Sequence, residues 1–212
     1  MKRRKKDEED LRKEEMLNLA YHFFLDKGFE NFSMDDLAKK LGCARRSIYT
    51  YFKSKNDIYM ALYIRNSKVK MEKLQEVIRR EKSPTETLID FLNAYYILSL
   101  EQKDFVKFQL KMDSSDFDWN QISEDYQKEY VIASEEYFGI LTGLMQKGID
   151  MGLFKNDIHP RVMFAEIMFS MRGVLNRSIL FPDQTYVIKK GLVTAEEFFQ
   201  IYIKMIIDGI RK

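Results

Sequence analysis

Residues 45–55 concentrate side chains that can bind nucleic acid. The segment holds two adjacent arginines, three hydroxyl residues, two tyrosines and two lysines, and it has no acid from Gly42 to Lys55. An arginine can donate two hydrogen bonds to the O6 and N7 atoms of guanine, whereas hydroxyl groups and lysines bind phosphate oxygens. The residue types therefore indicate contact with DNA. The alternative is a solvated helix face that carries two ordinary surface arginines.

The spacing of these residues predicts a short amphipathic helix. At about 100° per residue, Ile48 and Phe52 lie on one side, and Arg46, Thr50 and Lys53 lie on the opposite side. The apolar side would pack against the protein and leave the donor-rich side in solvent.

A second short helix precedes this one and ends at Gly42, so the two helices have the outline of a helix-turn-helix. Ser33 is its expected N-cap, with Asp36 three residues later. In a helix-turn-helix the amino end of the second helix meets the base edges, and Arg45 and Arg46 stand at that end.

The rest of the chain also reads as helices. Only 3 prolines and 9 glycines interrupt 212 residues, and no segment shows sustained period-two alternation. Capping-box spacing recurs at Ser54 and Asp57, at Ser83 and Glu86, and at Thr194 and Glu197. We predict an all-α protein of nine helices at about 11–28, 33–42, 44–52, 54–81, 84–101, 103–112, 121–151, 160–181 and 195–211.

Composition excludes several classes of function. Cys43 is the single cysteine and the two histidines are far apart, so no disulfide, metal or cofactor is expected. The chain has no glycine-rich phosphate loop, Gly-x-Ser-x-Gly or His-Glu-x-x-His motif, which argues against an enzyme. No apolar run is long enough for a membrane span, so we expect a cytoplasmic protein. The basic run at residues 2–6 is either a solvated tail or an arm that binds phosphates.

The segment FSMDDLAKKLGCARRSIYTYFKSKNDIYMAL resembles the DNA-binding domain of TetR-family (TetR/AcrR-like) transcriptional regulators. A shorter passage, GIDMGLFKNDIHP, is similar to the family's entry into its penultimate helix. The chain departs from the family at Cys43 and Ala44, where Val-Ser is common, so the recognition helix lacks its usual hydroxyl cap. The first likeness rests on Ser33, Leu37, Ala38, Gly42, Ile48, Tyr49, Tyr51, Phe52, Ser54 and Lys55.

The resemblance implies a nine-helix TetR-like architecture with two domains. Residues 1–54 would form the N-terminal helix-turn-helix domain, and residues 55–212 would form the effector-binding and dimerisation domain. Arg45, Arg46 and Tyr49 would face bases. The phosphate backbone would be held by Ser33, Ser47, Thr50, Tyr51 and Lys55, although Tyr49 and Tyr51 could also belong partly to the core.

The last two long helices are predicted to form a dimer interface, because they carry more apolar residues than one face of a monomer needs. Two such pairs across a twofold axis would make a four-helix interface, as the family resemblance also implies. The alternative is that both helices complete the monomer core. The predicted interface residues are Met163, Ile167, Met171, Val174, Phe198, Phe199, Tyr202, Ile206 and Ile210.

The middle helices have a surplus of aromatic and methionine residues, most of which are expected in the core. The resemblance implies that some of them line a pocket for a small lipophilic or aromatic effector. Arg172 and Asn176, one turn apart, would orient a polar or anionic group of that ligand, or would pair within the protein. The candidate pocket residues are Tyr95, Tyr96, Phe108, Met112, Trp119, Tyr137, Met145, Arg172 and Asn176.

The sequence thus predicts a ligand-responsive transcriptional regulator, a repressor by resemblance, that binds a palindromic operator as a homodimer. Ligand would move the fourth helix and change the separation of the two recognition helices. The alternative is an all-α dimeric interaction module without DNA binding.

Overall fold

The computed structural model describes residues 2–112 and 117–212, with side chains described from residue 7 onward. Ten α-helices and no strand occur in these residues, which confirms the all-α prediction. The helices are α1 (Lys2–Lys27), α2 (Met34–Lys40), α3 (Arg45–Tyr51), α4 (Lys55–Ile78), α5 (Pro84–Glu101), α6 (Lys103–Met112), α7 (Glu124–Asp150), α8 (Pro160–Leu175), α9 (Tyr186–Lys189) and α10 (Ala195–Ile210).

The helix count and two boundaries differ from the prediction. α1 begins at Lys2, so the backbone of the basic run is helical, although its side chains lie outside the described ones. The predicted helix at 160–181 ends as an α-helix at Leu175 and continues as a π-helical turn, Asn176–Leu180. Pro182, which cannot donate a backbone hydrogen bond, follows two residues after the end of this turn. The four-residue α9 then adds a tenth helix, too short to show apolar periodicity in the sequence.

All four predicted cap residues accept a hydrogen bond from the amide three residues later, and two of them form complete capping boxes. Ser33 accepts a hydrogen bond from the Asp36 amide, and both Ser83–Glu86 and Thr194–Glu197 are complete capping boxes. The hydroxyl of Ser54 accepts from the Asp57 amide at 3.2 Å. The carboxylate of Asp57 does not return to Ser54.

The chain divides into two compact units. The described part of unit 1 comprises residues 2–66 and 117–131, and that of unit 2 comprises residues 67–112 and 132–212. Leu37, Ile48, Phe52 and Ile58 are fully buried in unit 1. The core of unit 2 includes Leu88, Phe91, Leu141, Met145, Phe164, Met171 and Phe199.

Steric contacts and backbone conformation within unit 2 explain the glycines in the passage at residues 148–160. A Cβ atom on Gly148 would lie 2.1 Å from the ring of Phe154, so only glycine fits against this buried phenylalanine. Gly152 has a φ of +70°, which a side chain disfavours. The amides of Leu153 and Phe154 both donate to the Gly148 carbonyl, which closes the end of α7.

Candidate nucleic-acid interface

α2 and α3 are joined by a tight turn that sets their relative orientation. Gly42 has a φ of +63°, and the Cys43 amide donates to the Ala38 carbonyl at 3.1 Å. Ala44 precedes α3 and makes no side-chain hydrogen bond to it, as the missing hydroxyl cap predicted. Ile48 and Phe52 are fully buried and hold α3 against unit 1. The opposite side of α3 is left in solvent.

The exposed side of α3 carries the predicted base-contacting residues and one predicted phosphate contact, Thr50. Arg45, Arg46 and Thr50 are exposed, and Tyr49 retains 39% of its accessible surface. The hydroxyl of Thr50 donates to the Arg46 carbonyl at 3.1 Å, which leaves its oxygen as an acceptor only. In the part of the chain that the structure describes, the Arg46 side chain forms no ion pair, so its guanidinium is open to an incoming base edge.

Arg45 is held in position by a carboxylate that sequence reasoning missed. Its Nε lies 3.0 Å from Oδ1 of Asp35, and its Nη1 lies 3.1 Å from Oδ2. Nη2 donates to the Tyr49 hydroxyl at 3.0 Å. The hydrogen bond to Tyr49 and the charge of Asp35 raise the pKa of Arg45. An exposed ion pair of this kind is weak, so it orients the guanidinium without preventing exchange. Its only signal in the sequence was an acid at the start of α2, ten residues before Arg45.

Lys55, a predicted phosphate contact, bonds within the protein. Its Nζ donates to the Phe29 carbonyl at 3.1 Å and lies 4.4 Å from the centre of the Phe29 ring. Lys55 is half-buried and secures the turn after α1, so its ammonium is occupied within the protein. The neighbouring Lys53 is exposed and is better placed for phosphate contact.

The remaining phosphate candidates are less exposed than the arginines. The oxygen of Ser33 is occupied as an acceptor at the start of α2, so toward DNA its hydroxyl can serve as a donor. Ser47 and Tyr51 are half-buried beside the core side of α3. The dual reading of Tyr51, partly surface and partly core, matches this placement.

A segment from the middle of the chain completes unit 1. Asp57 accepts hydrogen bonds from the Lys53 amide at 2.9 Å and from the Ser123 amide at 2.7 Å. Asn56 donates to the Asp118 carbonyl at 3.1 Å. These contacts tie the approach to α7 onto the start of α4. Nothing local in the sequence connects residues more than 60 positions apart.

Trp119 lies in this segment and not with the other candidate effector residues. It is 39% exposed in unit 1 and packs near Phe117 and Tyr130, with ring centres 5.7 Å and 5.2 Å away. The sequence predicted a pocket role from its aromatic character alone, which cannot report the tertiary location.

The other candidate effector residues all lie in unit 2. The buried ones are Tyr95, Tyr96, Phe108, Met112 and Met145, and the half-buried ones are Tyr137, Arg172 and Asn176. Lys70 of α4, which sequence reasoning missed, has only 3% of its surface exposed. Burial, and then the nearby charge of Arg172, lower the pKa of Lys70 to about 7.

The predicted dimer residues are partly or wholly covered within unit 2. The side chains of Met163, Ile167, Met171, Phe199, Tyr202 and Ile210 are buried in the core of unit 2, and those of Val174, Phe198 and Ile206 are half-buried. A side chain covered by its own chain has little area to offer a partner. The exposed apolar residues of the same two helices are Val162 and Phe169 on α8, and Ile201 and Met205 on α10.

Two further features of the described residues are the length and hydropathy of their helices and the grouping of their metal-binding side chains. None of their helices is both long enough and apolar enough to cross a membrane. The same residues hold no group of three or more His, Cys, Asp or Glu side chains arranged around a metal position.

Comparison with known proteins finds a family match over the helix-turn-helix and two relatives that extend beyond it. The family described as "Bacterial regulatory proteins, tetR family" matches residues 16–62, which contain all of α2 and α3. The "Fatty acid metabolism regulator protein" of Bacillus subtilis is 24% identical over 149 residues, 70% of this chain and 73% of that protein. The "Uncharacterized HTH-type transcriptional regulator YfiR" of the same species is 24% identical over 211 residues, 98% of this chain and 97% of that protein.

A solved structure shares the fold along almost the whole chain. The transcriptional regulator FadR from Bacillus subtilis, in complex with stearoyl-CoA, superposes with a TM-score of 0.67 at 19% identity. The match covers 92% of this chain and 98% of that one. Residues 16–62 thus match the tetR family of bacterial regulatory proteins, and the chain shares its fold with the FadR structure.

Proposed function

We propose that this protein is a ligand-responsive repressor that binds a palindromic operator as a homodimer. The observation that carries the proposal is the exposed arginine pair of α3 on a helix anchored by buried Ile48 and Phe52. Arg46 is open for a bidentate contact to guanine, and Arg45 is oriented toward solvent by Asp35 and Tyr49. Residues 1–54 serve as the DNA-binding domain, and residues 55–212 serve effector binding and dimerisation.

Dimerisation places two copies of α3 on one face of the DNA. One recognition helix reads few bases, so a twofold pair spaced by about 34–36 Å reads two half-sites. The exposed apolar residues Val162 and Phe169, with Ile201 and Met205 on the adjacent α10, supply a self-complementary surface for this pairing. A protein that binds DNA in this way would act in the cytoplasm. It would regulate by binding DNA and ligand, and it would not catalyse a reaction.

The effector is a small lipophilic or aromatic molecule that binds unit 2. The aromatic and methionine side chains there form an adaptable apolar environment. Two relatives support an acyl compound as a first candidate, since one is a fatty acid metabolism regulator and another was solved with stearoyl-CoA. α4 and α7 both continue from unit 1 into unit 2, so ligand-driven movement of either helix reaches the bonds of Asp57 beside α3.

A gel-shift titration with the DNA upstream of the protein's own gene tests the DNA-binding proposal. The double variant Arg45→Ala/Arg46→Ala should lose specific binding. Arg79→Ala/Arg80→Ala is a matched control, because it removes two adjacent exposed arginines that follow α4. Unchanged specific binding by the Arg45→Ala/Arg46→Ala protein would contradict the proposal. It would favour an interaction module that does not read DNA.

A further inference from the structure

The amino end of α2 places an exposed acid beside the recognition helix. The side chain of Asp35 keeps 60% of its surface accessible, whereas the segment from Gly42 to Lys55 contains no acid at all. A carboxylate at this position repels phosphates and so lowers the affinity for DNA of any sequence. An acid in the first turn does stabilise a helix, but Asp36 already supplies that charge to α2. The position of Asp35 therefore calls for a role in selecting bases.

The contacts of Arg45 leave it with the two donors that guanine requires. Its Nε lies 3.0 Å from Oδ1 of Asp35, and its Nη1 donates to Oδ2 at 3.1 Å. Its Nη2 donates to the Tyr49 hydroxyl at 3.0 Å. A guanidinium has five N–H groups, so one N–H remains on each terminal nitrogen. Guanine presents two neighbouring acceptors, O6 and N7, in the major groove.

Asp35 also keeps hydrogen-bonding capacity while it holds Arg45. An ionised carboxylate has about four lone-pair sites, and Arg45 occupies one on each oxygen. Each oxygen can therefore accept a further hydrogen bond. The donors that DNA offers in the major groove are the amino groups of cytosine and adenine.

Together the two side chains complement one kind of base pair. The major-groove edge of a G·C pair presents the acceptors N7 and O6 of guanine, followed by the N4 amino donor of cytosine. Arg45 and Asp35 present two donors followed by an acceptor. O6 and N4 are hydrogen-bonded to each other, so they lie one hydrogen-bond length apart, as Nη1 and Oδ2 do at 3.1 Å. An A·T pair places its amino donor between two acceptors, where the donors of Arg45 would meet it.

We propose that Arg45 and Asp35 together recognise one G·C pair in each half-site. Arg45 binds O6 and N7 of the guanine, and Asp35 accepts a hydrogen bond from the N4 amino group of the paired cytosine. The proposal rests on the proposed function in taking α3 as the recognition helix. It goes further in naming a base pair and in giving a residue of α2 a direct part in specificity. Tyr49 acts as a positioning residue through its bond to Nη2.

Selection from random double-stranded oligonucleotides tests the proposal with the full-length protein. The wild type defines the operator, and the variants show which position each side chain reads. Arg45→Ala and Asp35→Ala should lose the G·C preference at the same position of each half-site. For Asp35→Ala the selectivity for G·C over A·T should fall about two- to fivefold, as expected for one hydrogen bond. If Asp35→Ala keeps every base preference, or loses one at a position that Arg45→Ala still reads, the proposal is overturned.

Modified bases at the same position test the individual atoms. N4-methylcytosine keeps Watson–Crick pairing but replaces the amino hydrogen in the major groove. The wild type should bind this operator about two- to fivefold less tightly, and Asp35→Ala should be indifferent to the change. 7-Deazaguanine, which lacks the N7 acceptor, should weaken the wild type but not Arg45→Ala. Indifference of the wild type to either modified base would overturn the proposal.

A neighbouring acid provides the matched control. Asp36→Ala removes an equally exposed charge from the same turn of α2, but Asp36 lies 4.0 Å from Lys27 and does not contact Arg45. This variant should keep the G·C preference and the sensitivity to N4-methylcytosine, and their loss would assign the effect to charge or helix stability instead. A wild type that selects no sequence contradicts the proposed function itself. A wild type that selects an operator whose preferences survive in Asp35→Ala overturns only the recognition of the G·C pair.

Discussion

Two pairs of basic residues in this protein differ in their access to water. Arg45 and Arg46 project from α3 of unit 1 into solvent. Asp35 and Tyr49 orient the Arg45 guanidinium, whereas the Arg46 guanidinium is open to an incoming ligand. Lys70 and Arg172 lie in unit 2, where the lysine is almost completely buried. Water solvates the exposed pair, so its charges cost the DNA-free protein little folding free energy. Burial disfavours the charged form of Lys70 and lowers its pKa.

This difference shows why one pair was found in the sequence and the other was not. The α3 arginines stand opposite Ile48 and Phe52 on a seven-residue helix, so their exposure follows from local periodicity. Lys70 stands in a 24-residue helix beside other charged residues, where a solvated position is the natural expectation. Only its packing against α5 reveals the buried charge.

The largest expected effect is a gain of stability on removing the buried charge. Lys70→Met should raise the free energy of unfolding by about 1–4 kcal/mol at pH 6, as for other buried ions replaced by apolar residues. The pKa of Lys70 falls from its usual 10.5 to about 7 on folding, so the unfolded chain binds the extra proton between these values. Wild-type stability therefore rises with pH across this window, and the advantage of the variant shrinks toward pH 10. Urea unfolding of both proteins at pH 6 and pH 10 measures this advantage. If the difference in unfolding free energy is the same at both pH values, the charge of Lys70 is not its cause.

The next effect is on base recognition by the exposed pair. Arg46→Ala should cost about 1–3 kcal/mol of operator binding and relax the base preference at one position of each half-site. Binding titrations against operators with single base changes measure both quantities. Arg79→Ala is the control for a lost surface charge. Retention of every base preference would show that Arg46 contacts only phosphate.

Two lysines two residues apart separate a surface contact from a structural one. Lys53→Ala should lower the slope of log affinity against log salt by about 1, because Lys53 is exposed beside α3. Lys55→Ala should leave that slope unchanged and reduce stability by about 1 kcal/mol, since its ammonium bonds the turn after α1. Affinity measured from 50 to 200 mM salt, with parallel thermal melts, distinguishes them. The opposite pattern would restore the phosphate role first predicted for Lys55.

The smallest effect concerns the carboxylate that orients Arg45. Asp35→Asn removes an exposed negative charge and its ion pair with Arg45, and exposed pairs of this kind contribute little. Binding to random DNA should strengthen slightly, whereas the ratio of operator to random binding should fall, because Arg45 loses its fixed orientation. Competition titrations with both DNAs measure this ratio. A ratio equal to that of the wild type would show that Tyr49 alone orients Arg45.

Helical periodicity predicted apolar helices in α8 and α10 but not which side their own chain covers. Met163 and Ile167 are core residues, whereas Val162 and Phe169 face solvent on the same helix. An apolar residue is as suitable for a core as for a dimer interface. The sequence therefore could not decide which of these side chains its own chain covers.

The sequence by itself determined the features that depend on neighbouring residues. The caps at Ser33, Ser83 and Thr194, the turn at Gly42 and the two-sided character of α3 all arise from side chains within a few positions of one another. Only the tertiary structure decided the features that join distant parts of the chain. These are the hydrogen bond from Ser123 to Asp57, the pairing of Asp35 with Arg45, and the burial of Lys70 of α4 against α5. Local preferences act along the backbone, whereas solvation and charge pairing depend on which elements fold against each other.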